Sequence, residues 1–472
     1  MKKEKSYIMS DKSVNRRDFL KVMGVGTAAV GVGLAVPKVV AKTANGFLVE
    51  SEEEYGGFQV EKLSKDKFPY QYNPDILKRM RNKYTVFSRS SWDPVRRNVP
   101  NENVKYKNLV VGKGKVPNQS RLDYAFTDAS WCLAHNPYSY QWGIENGEGG
   151  RRRGPESEKW NPADIDMNWE EVSVATKHAA LVYGASLAGI ADLNPLWIYD
   201  QPLSPTREDR GRTIPVLFDN ERFEKTSDAW YIPKSMNKVI AVAFEEDYDA
   251  IMNSPGRLAS GATGNGYTRM AVTAYAIAQY VRNLGYRAIP AGNGFGLSIP
   301  MAIDAGLGEV GRNGLLVTPK YGPRVRIAKV LTDMPLVPDS PIRFGVKEFC
   351  DNCMLCAEDC PSSSIPFGDQ TWKGKSVSNN PGTLKWYIEP EPCNDYNGFS
   401  CSNCKRVCPF NKPNNSWLHK VIRSGIKADS GILDKIMVSF DQASGYGKQF
   451  EATEFWKQDG SKSITAREPN TK

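Results

Sequence analysis

Cys350-Asp351-Asn352-Cys353-Met354-Leu355-Cys356-Ala357-Glu358-Asp359-Cys360-Pro361 sets four cysteines at spacings of two, two and three residues and closes on a proline. Three thiolates spaced in this way can wrap one cubane cluster, and the fourth, ahead of the proline, points away to another cluster. A second set follows: Cys393, then Cys401, Cys404 and Cys408-Pro409, with seven, two and three residues between them. The first gap is widened by an inserted loop, but the ligand number is intact. Crossed ligation predicts one cluster on Cys350, Cys353, Cys356 and Cys408, and the other on Cys360, Cys393, Cys401 and Cys404. Two zinc sites and four disulfides are the competing readings. The spacings and both prolines favour two 4Fe-4S clusters in a bacterial ferredoxin-type domain over 342–412.

The chain on the N-terminal side carries the periodic signals. Val172, Ala175, Ala179, Val182 and Ala185 recur at helical spacing, and Val239 to Phe244 is a short apolar run that reads as a buried strand. Met270, Ala274, Ile277, Val281 and Leu284 form one face of an amphipathic helix that starts near Tyr267 and ends at Gly285, a natural C-terminal cap. Arg287 to Pro290 reads as a strand leaving into Ala291-Gly292-Asn293-Gly294; Gly314–Thr318 and Val325–Leu331 are further strands. Helices alternating with strands over 168–341 predict an α+β layered core. Residues 42–167 are polar, aromatic and weakly periodic, and read as loops and short helices wrapped on that core. Residues 413–472, helical from Trp417 to Trp456, return to it.

The N-terminus reads as an export signal. Arg16-Arg17-Asp18-Phe19-Leu20-Lys21 precedes an apolar run from Val22 to Pro37, too short to span a bilayer, which needs about 20 residues. The paired arginines mark a twin-arginine signal over 1–41, with a cleavage site at Ala41 or Ala44. The mature protein is expected at the outer, periplasmic face of the cytoplasmic membrane as a peripheral protein. Of the formal net charge of +9, five units come from these 41 residues, which hold eight basic and three acidic groups. The remainder is too weakly basic for nucleic-acid binding, and Arg151-Arg152-Arg153 reads as a solvated loop. Only three histidines occur, His135, His178 and His419, which excludes a His-rich metal site. The ninth cysteine, Cys132, stands apart from the others and reads as a buried or free thiol.

A set of motifs in order along the chain resembles the reductive dehalogenases of organohalide respiration. They are the twin-arginine start, Asn265 to Met270, Leu284-Gly285-Tyr286, Ala291-Gly292-Asn293, and Leu297-Ser298-Ile299-Pro300. Ala305 to Arg312, Thr318-Pro319, Thr332 to Leu336, Pro341 to Val346, both cysteine runs and Asp441 to Gly447 complete it. The likeness is dense from 265 to 447 and thin before 230.

The resemblance implies a nitroreductase-like core that buries a corrinoid, with the ferredoxin-type domain inserted. The Asp-x-His-x-x-Gly motif that supplies a lower histidine to cobalt is absent: Leu133, Thr176 and Trp417 stand two residues before the three histidines. A base-off corrinoid with no protein histidine follows. Two electrons would arrive through the clusters, and Co(I) would attack either the carbon–halogen bond or the halogen itself. Tyr267 is the family-matched proton donor and Arg326 its stabilising guanidinium, with Arg324 as a rival; Asn293 orients the tyrosine or the leaving halogen. A phenol is a weak acid at neutral pH, so an adjacent fixed positive charge makes donation easier.

Ser298, Gly306, Gly308 and Gly311 are candidate cofactor contacts, the glycines being turn residues in the alternative reading. The aromatic stretches 131–142 and 386–399 line a substrate pocket or pack the core. Implied partners are a small halogenated substrate, an upstream electron donor, a small membrane-anchor protein and a second copy in a homodimer. An epoxyqueuosine reductase-like enzyme and a non-catalytic two-cluster electron carrier are the alternatives.

Overall fold

A computed structural model describes residues 48–49, 58, 60–97, 121–131, 168–201, 215–397, 401–411, 438 and 445–457. The signal segment, Cys132, His135, His419, the arginine triplet and most of 413–472 lie outside them. The principal elements are α1 (Arg121–Trp131), α2 (Trp169–Val182), β1 (Leu187–Asp192), β2 (Lys238–Glu245), α3 (Arg257–Asn283) and β3 (Ala288–Ala291). They continue with α4 (Ser298–Asp304), β4 (Val325–Thr332), α5 (Val346–Asn352), α6 (Leu355–Glu358), α7 (Pro390–Asn397), α8 (Asn403–Arg406) and α9 (Ala452–Trp456).

The four strands form one antiparallel sheet in the order β1-β2-β4-β3. Successive strand residues point to opposite faces, and here both faces are apolar. Val242, Phe244, Ala328 and Val330 pack toward α2 and α3, whereas Ala241, Ala243, Ile327 and Leu331 pack toward α4. The sheet is therefore sandwiched, which is why β2 reads as an unbroken apolar run rather than an alternation. Val325–Thr332 and Ala288–Ala291 form where the sequence places strands, and Gly285, at φ +92°, ends α3.

Two helices differ from their periodicity. In α2 the buried face is Val172, Ser173, Thr176 and Ala180, while Val182 is exposed and Ala185 lies beyond the helix. The apolar count pointed to a rotated face because it scores hydroxyls as polar. Ser173 Oγ donates to Trp169 O at 2.6 Å and Thr176 Oγ1 to Val172 O at 2.8 Å, so burying them leaves no polar atom unpaired.

Helix α3 begins at Arg257, well before Tyr267, so the tyrosine sits inside the helix rather than at its start. The early turns hold Gly261, Gly264 and Gly266 and lack a large-residue period. Their purpose is close approach: a Cβ on Gly261 would fall 2.3 Å from the Phe126 ring and one on Gly264 2.7 Å from Trp131. Helix α1 thus lies directly against α3.

The cluster-bearing segment is tied to the core at several points. Ile342–Arg343 pairs with Val60–Lys62, which in turn pairs with Leu48–Val49. Arg312, almost fully buried, donates from Nε to Cys350 O at 3.0 Å and from Nη1 to Pro366 O at 2.8 Å, with its guanidinium 4.6 Å from the Trp386 ring centroid. Helix α9 returns to α1 through Phe455 and Trp456 against Phe126. Among the described residues, no helix is long and apolar enough to cross a membrane.

Candidate active site

Three elements deliver polar groups to one point beside the sheet. Tyr267 comes from α3, Asn293 from the loop after β3, and Arg326 from β4, opposite Phe244. Asn293 Nδ2 donates to Tyr267 Oη at 2.9 Å, and Arg326 Nη1 donates to the same oxygen at 3.4 Å. The Arg326 guanidinium also lies 4.8 Å from the tyrosine ring centroid, a cation–π distance. The phenolic oxygen therefore accepts twice, and no acceptor among the described residues takes the hydroxyl proton. Asn293 is exposed, and a Cβ on Gly294 would meet nothing within 4 Å, so this side of the site is open. The Trp131 ring stands 5.4 Å from that of Tyr267.

Gly266 makes the Arg326 geometry possible. A Cβ there would fall 2.7 Å from Arg326 Cγ, so only a glycine lets the arginine stem cross the helix. Arg324 is committed elsewhere: its Nη1 pairs with Glu245 Oε1 and donates to Glu246 O at 2.8 Å. The rivalry between the two arginines is thus resolved by position, since Arg324 precedes the strand and turns toward Glu245.

The sequence reading did not single out Glu246, Lys405 or Lys329. Glu246 is buried at the end of β2. It accepts from Arg326 Nε at 3.2 Å and Thr263 Oγ1 at 2.9 Å on Oε1, and pairs with Lys405 Nζ on Oε2. Burial alone would raise its pKa, but the Lys405 and Arg326 charges prevail and hold it at about 2. Lys405 follows Cys404 directly, so one carboxylate joins the arginine at Tyr267 to the second cysteine run. Burial opposes the Arg326 charge, and Tyr267 and Glu246 outweigh it. Lys329 lies on the other sheet face, fully buried, where burial pushes its pKa down to about 7. A Glu-Glu pair directly after a buried apolar strand was the available signal for Glu246; an isolated lysine inside a strand was the signal for Lys329.

The eight cysteines from 350 to 408 are all free thiols. Cys350 and Cys356 lie on α5 and α6, Cys393 and Cys404 on α7 and α8. Burial raises the pKa values of Cys356, Cys393 and Cys404 first, and neighbouring thiols raise them second. Cys408 is acted on chiefly by Cys350 and Cys353, whereas Cys393 is acted on by Cys401 and Cys360. Cys404 has Cys401, Cys393 and Cys360 as neighbours and also acts on Cys356, so the two groups adjoin. Such thiols suit metal ligation, because coordination deprotonates a thiol and removes the penalty. Among the described residues no three His, Cys, Asp or Glu side chains form a group fit for one metal ion; around a cubane each thiolate binds a different iron, so no such convergence is needed.

The remaining candidates are placed differently. A Cβ on Gly306 would fall 2.5 Å from Ser340 O, one on Gly308 2.1 Å from Val317 O, and one on Gly311 3.0 Å from Val317 Cγ2. Close packing of the chain on itself accounts for all three glycines. Ser298 Oγ donates to Asn293 Oδ1 at 3.2 Å and accepts from Lys329, so it serves the tyrosine's neighbour. Trp386 and Tyr387 pack within the cluster-bearing segment, donating to Gly368 O and Thr383 O. His178, on α2, is exposed.

The fold and site define a mixed α/β redox protein with an iron–sulfur domain: residues 349–412 match the family described as 4Fe-4S dicluster domain. The sequence is 36% identical over 314 residues to the tetrachloroethene reductive dehalogenase of Sulfurospirillum multivorans, across 63% of this chain and 62% of that one. It is 41% identical over 304 residues to the enzyme of the same description from Dehalobacter restrictus, across 59% and 54%. The chain thus covers less than two thirds of either relative. A solved reductive dehalogenase, described in terms of B12-dependent dehalogenation, superposes with a TM-score of 0.58 at 21% identity over 81% of this chain and 49% of its own. In sequence this chain is similar to the tetrachloroethene reductive dehalogenases, and its fold resembles that of a solved reductive dehalogenase.

Proposed function

We propose that the protein is a reductive dehalogenase that replaces the halogen of a small organohalide by hydrogen, consuming two electrons and one proton and releasing halide. The observation that carries this reading is the doubly accepting Tyr267 hydroxyl, whose own proton is unclaimed on the open side of the site. Chlorinated ethenes lead the substrate class, because the two relatives at 36% and 41% identity carry that description.

The eight thiols would hold two 4Fe-4S clusters with the crossed ligand sets, and such clusters would supply one-electron transfer toward the core. A corrinoid bound on the open side, in a nitroreductase-like core and without a protein histidine, would supply cleavage of the carbon–halogen bond. Asn293 and Gly294 are exposed and a Cβ on Gly294 would meet nothing within 4 Å, which supports placing that group on this side. Tyr267 gives its proton to the carbon that lost the halogen. Arg326 and Asn293 already donate to its oxygen, so the phenolate left behind is stabilised where it forms. Arg326 stays charged and acts as a fixed charge. Glu246 holds that guanidinium in place and balances it against Lys405. Export by the twin-arginine route, association with a small membrane anchor, an upstream donor and a homodimer complete the proposal.

Anaerobic assay of the reconstituted protein against a panel of organohalides, reading halide release, tests it. Release that depends on reductant and on corrinoid is expected. Cluster absorbance with no corrinoid uptake and no halide release would leave an electron carrier instead.

A further inference from the structure

Lys329 has a burial that the electron and proton steps do not explain. On β4 it pairs with Ala241 and Ala291 and faces α4, away from Arg326. Its side chain is fully buried, and no carboxylate among the described residues pairs with it. Its partners are Gly296 O at 2.9 Å and Ser298 Oγ at 2.8 Å, both neutral. A cation held this way is costly, and an apolar side chain of similar length would fill the space without that cost.

What the ammonium provides is direction. It has three N–H donors and no lone pair, so Ser298 Oγ must accept from it. The single hydroxyl proton of Ser298 is then free to go to Asn293 Oδ1, 3.2 Å away. That contact turns the amide oxygen toward Ser298 and the amide nitrogen toward Tyr267, where Nδ2 donates to Oη at 2.9 Å. Each link dictates the next. An amide flipped end for end would instead present Oδ1 to Tyr267 and capture the phenolic proton.

We propose that Lys329 is a positioning residue that sets the direction of the hydrogen-bond chain through Ser298 and Asn293, and so keeps the Tyr267 proton free to be donated. The inference rests on Tyr267 being the acid of the proposed reaction. It explains why Lys329 is polar at a place where packing alone asks for an apolar group.

The test reads the tyrosine directly. The full chain is labelled with ring-13C tyrosine, and the Tyr267 signal is isolated by subtracting the Tyr267→Phe spectrum. The C–O stretching band separates a phenol that only accepts hydrogen bonds from one that donates. Spectra are taken at about pH 6, where the ammonium form prevails. The accepting position is expected for the wild type and for Lys329→Arg, and the donating position for Lys329→Met and Ser298→Ala. With a substrate in hand, kcat should fall roughly 10- to 100-fold in the last two, with KM within about twofold. Ser298→Ala removes one half-buried hydroxyl and leaves Lys329 bonded to Gly296 O, so it carries the question if Lys329→Met misfolds. An unmoved band in Ser298→Ala, or full kcat in Lys329→Met, overturns the proposal. A band that moves in a protein that dehalogenates nothing would instead refute the reaction while leaving the directional chain intact.

Discussion

Arg326 holds Tyr267 twice, through a 3.4 Å hydrogen bond to the phenolic oxygen and a 4.8 Å approach to the ring centroid. The first contact favours the phenolate, and the second fixes the ring in which it forms. Tyr267→Phe keeps the ring contact and removes only the acid. Halide release should drop by roughly 10²- to 10⁴-fold, the usual worth of a positioned general acid. Iron content and cluster spectra should be those of the wild type. A variant that dehalogenates at the wild-type rate would dismiss Tyr267 as the donor.

Gly266 is the opening through which Arg326 reaches the tyrosine. In Gly266→Ala the new methyl would sit 2.7 Å from Arg326 Cγ, well inside contact. Alanine favours the helix by about 1 kcal/mol over glycine, so α3 itself should not suffer. The expected result is a protein with intact clusters and strongly reduced halide release. Normal turnover would mean that the arginine can swing without loss.

Glu246 pairs with Arg326 and Lys405 at once inside the core. Glu246→Gln leaves the buried Lys405 and the half-buried Arg326 facing a neutral amide and should destabilise the protein by about 3–5 kcal/mol. Lys405→Met in the same background should recover part of that loss, since the two changes share one interaction. Anaerobic denaturant unfolding of the single and double variants reads this as a coupling energy; strict additivity would count against the bridge.

The grouping of the thiols bears on the cluster ligands. Under crossed ligation, Cys408→Ala and Cys350→Ala damage the same cluster, although 58 positions separate them. Cys360→Ala should share its lesion with Cys393→Ala. Electron paramagnetic resonance of the reduced variants should sort them into these pairs. A Cys360→Ala spectrum that matches Cys350→Ala would favour ligation within each run.

Asp304 is buried and accepts from Tyr70 Oη at 2.6 Å and from Trp197 Nε1 at 2.8 Å. Burial raises its pKa to about 7, against which the two hydrogen bonds work only in part. The folded chain therefore binds a proton here that the unfolded chain has released. The stability tied to this group is fully present below the unfolded value near 4, and is lost as pH rises through about 7. Asp304→Asn should flatten that part of the curve. Melting temperatures of both proteins between pH 5 and pH 8 check this; parallel curves would assign the slope to other groups.

Much of this protein could be read before its structure. The cysteine runs are local: a spacing of two residues can bring thiolates to one cluster whatever surrounds them. Strands β2, β3 and β4 and the later half of α3 were legible because burial leaves long apolar or periodic runs. The start of α3 was not, since its glycines record the approach of α1, a neighbour remote in sequence. The buried face of α2 was missed for a related reason: its hydroxyls satisfy themselves on the helix backbone and so can be buried.

What the sequence determined by itself was the two cysteine runs of the 4Fe-4S dicluster match, the layered core and the residue types near Tyr267. Only the tertiary structure decided which arginine reaches the tyrosine, which carboxylate holds it and which way the Asn293 amide faces. Those choices depend on contacts between side chains far apart in the chain and on the direction of each hydrogen bond. Glu246 and Lys405 are separated by 159 positions and meet inside the core. Spacing along a chain encodes neither that meeting nor the one-way donation that a buried ammonium imposes.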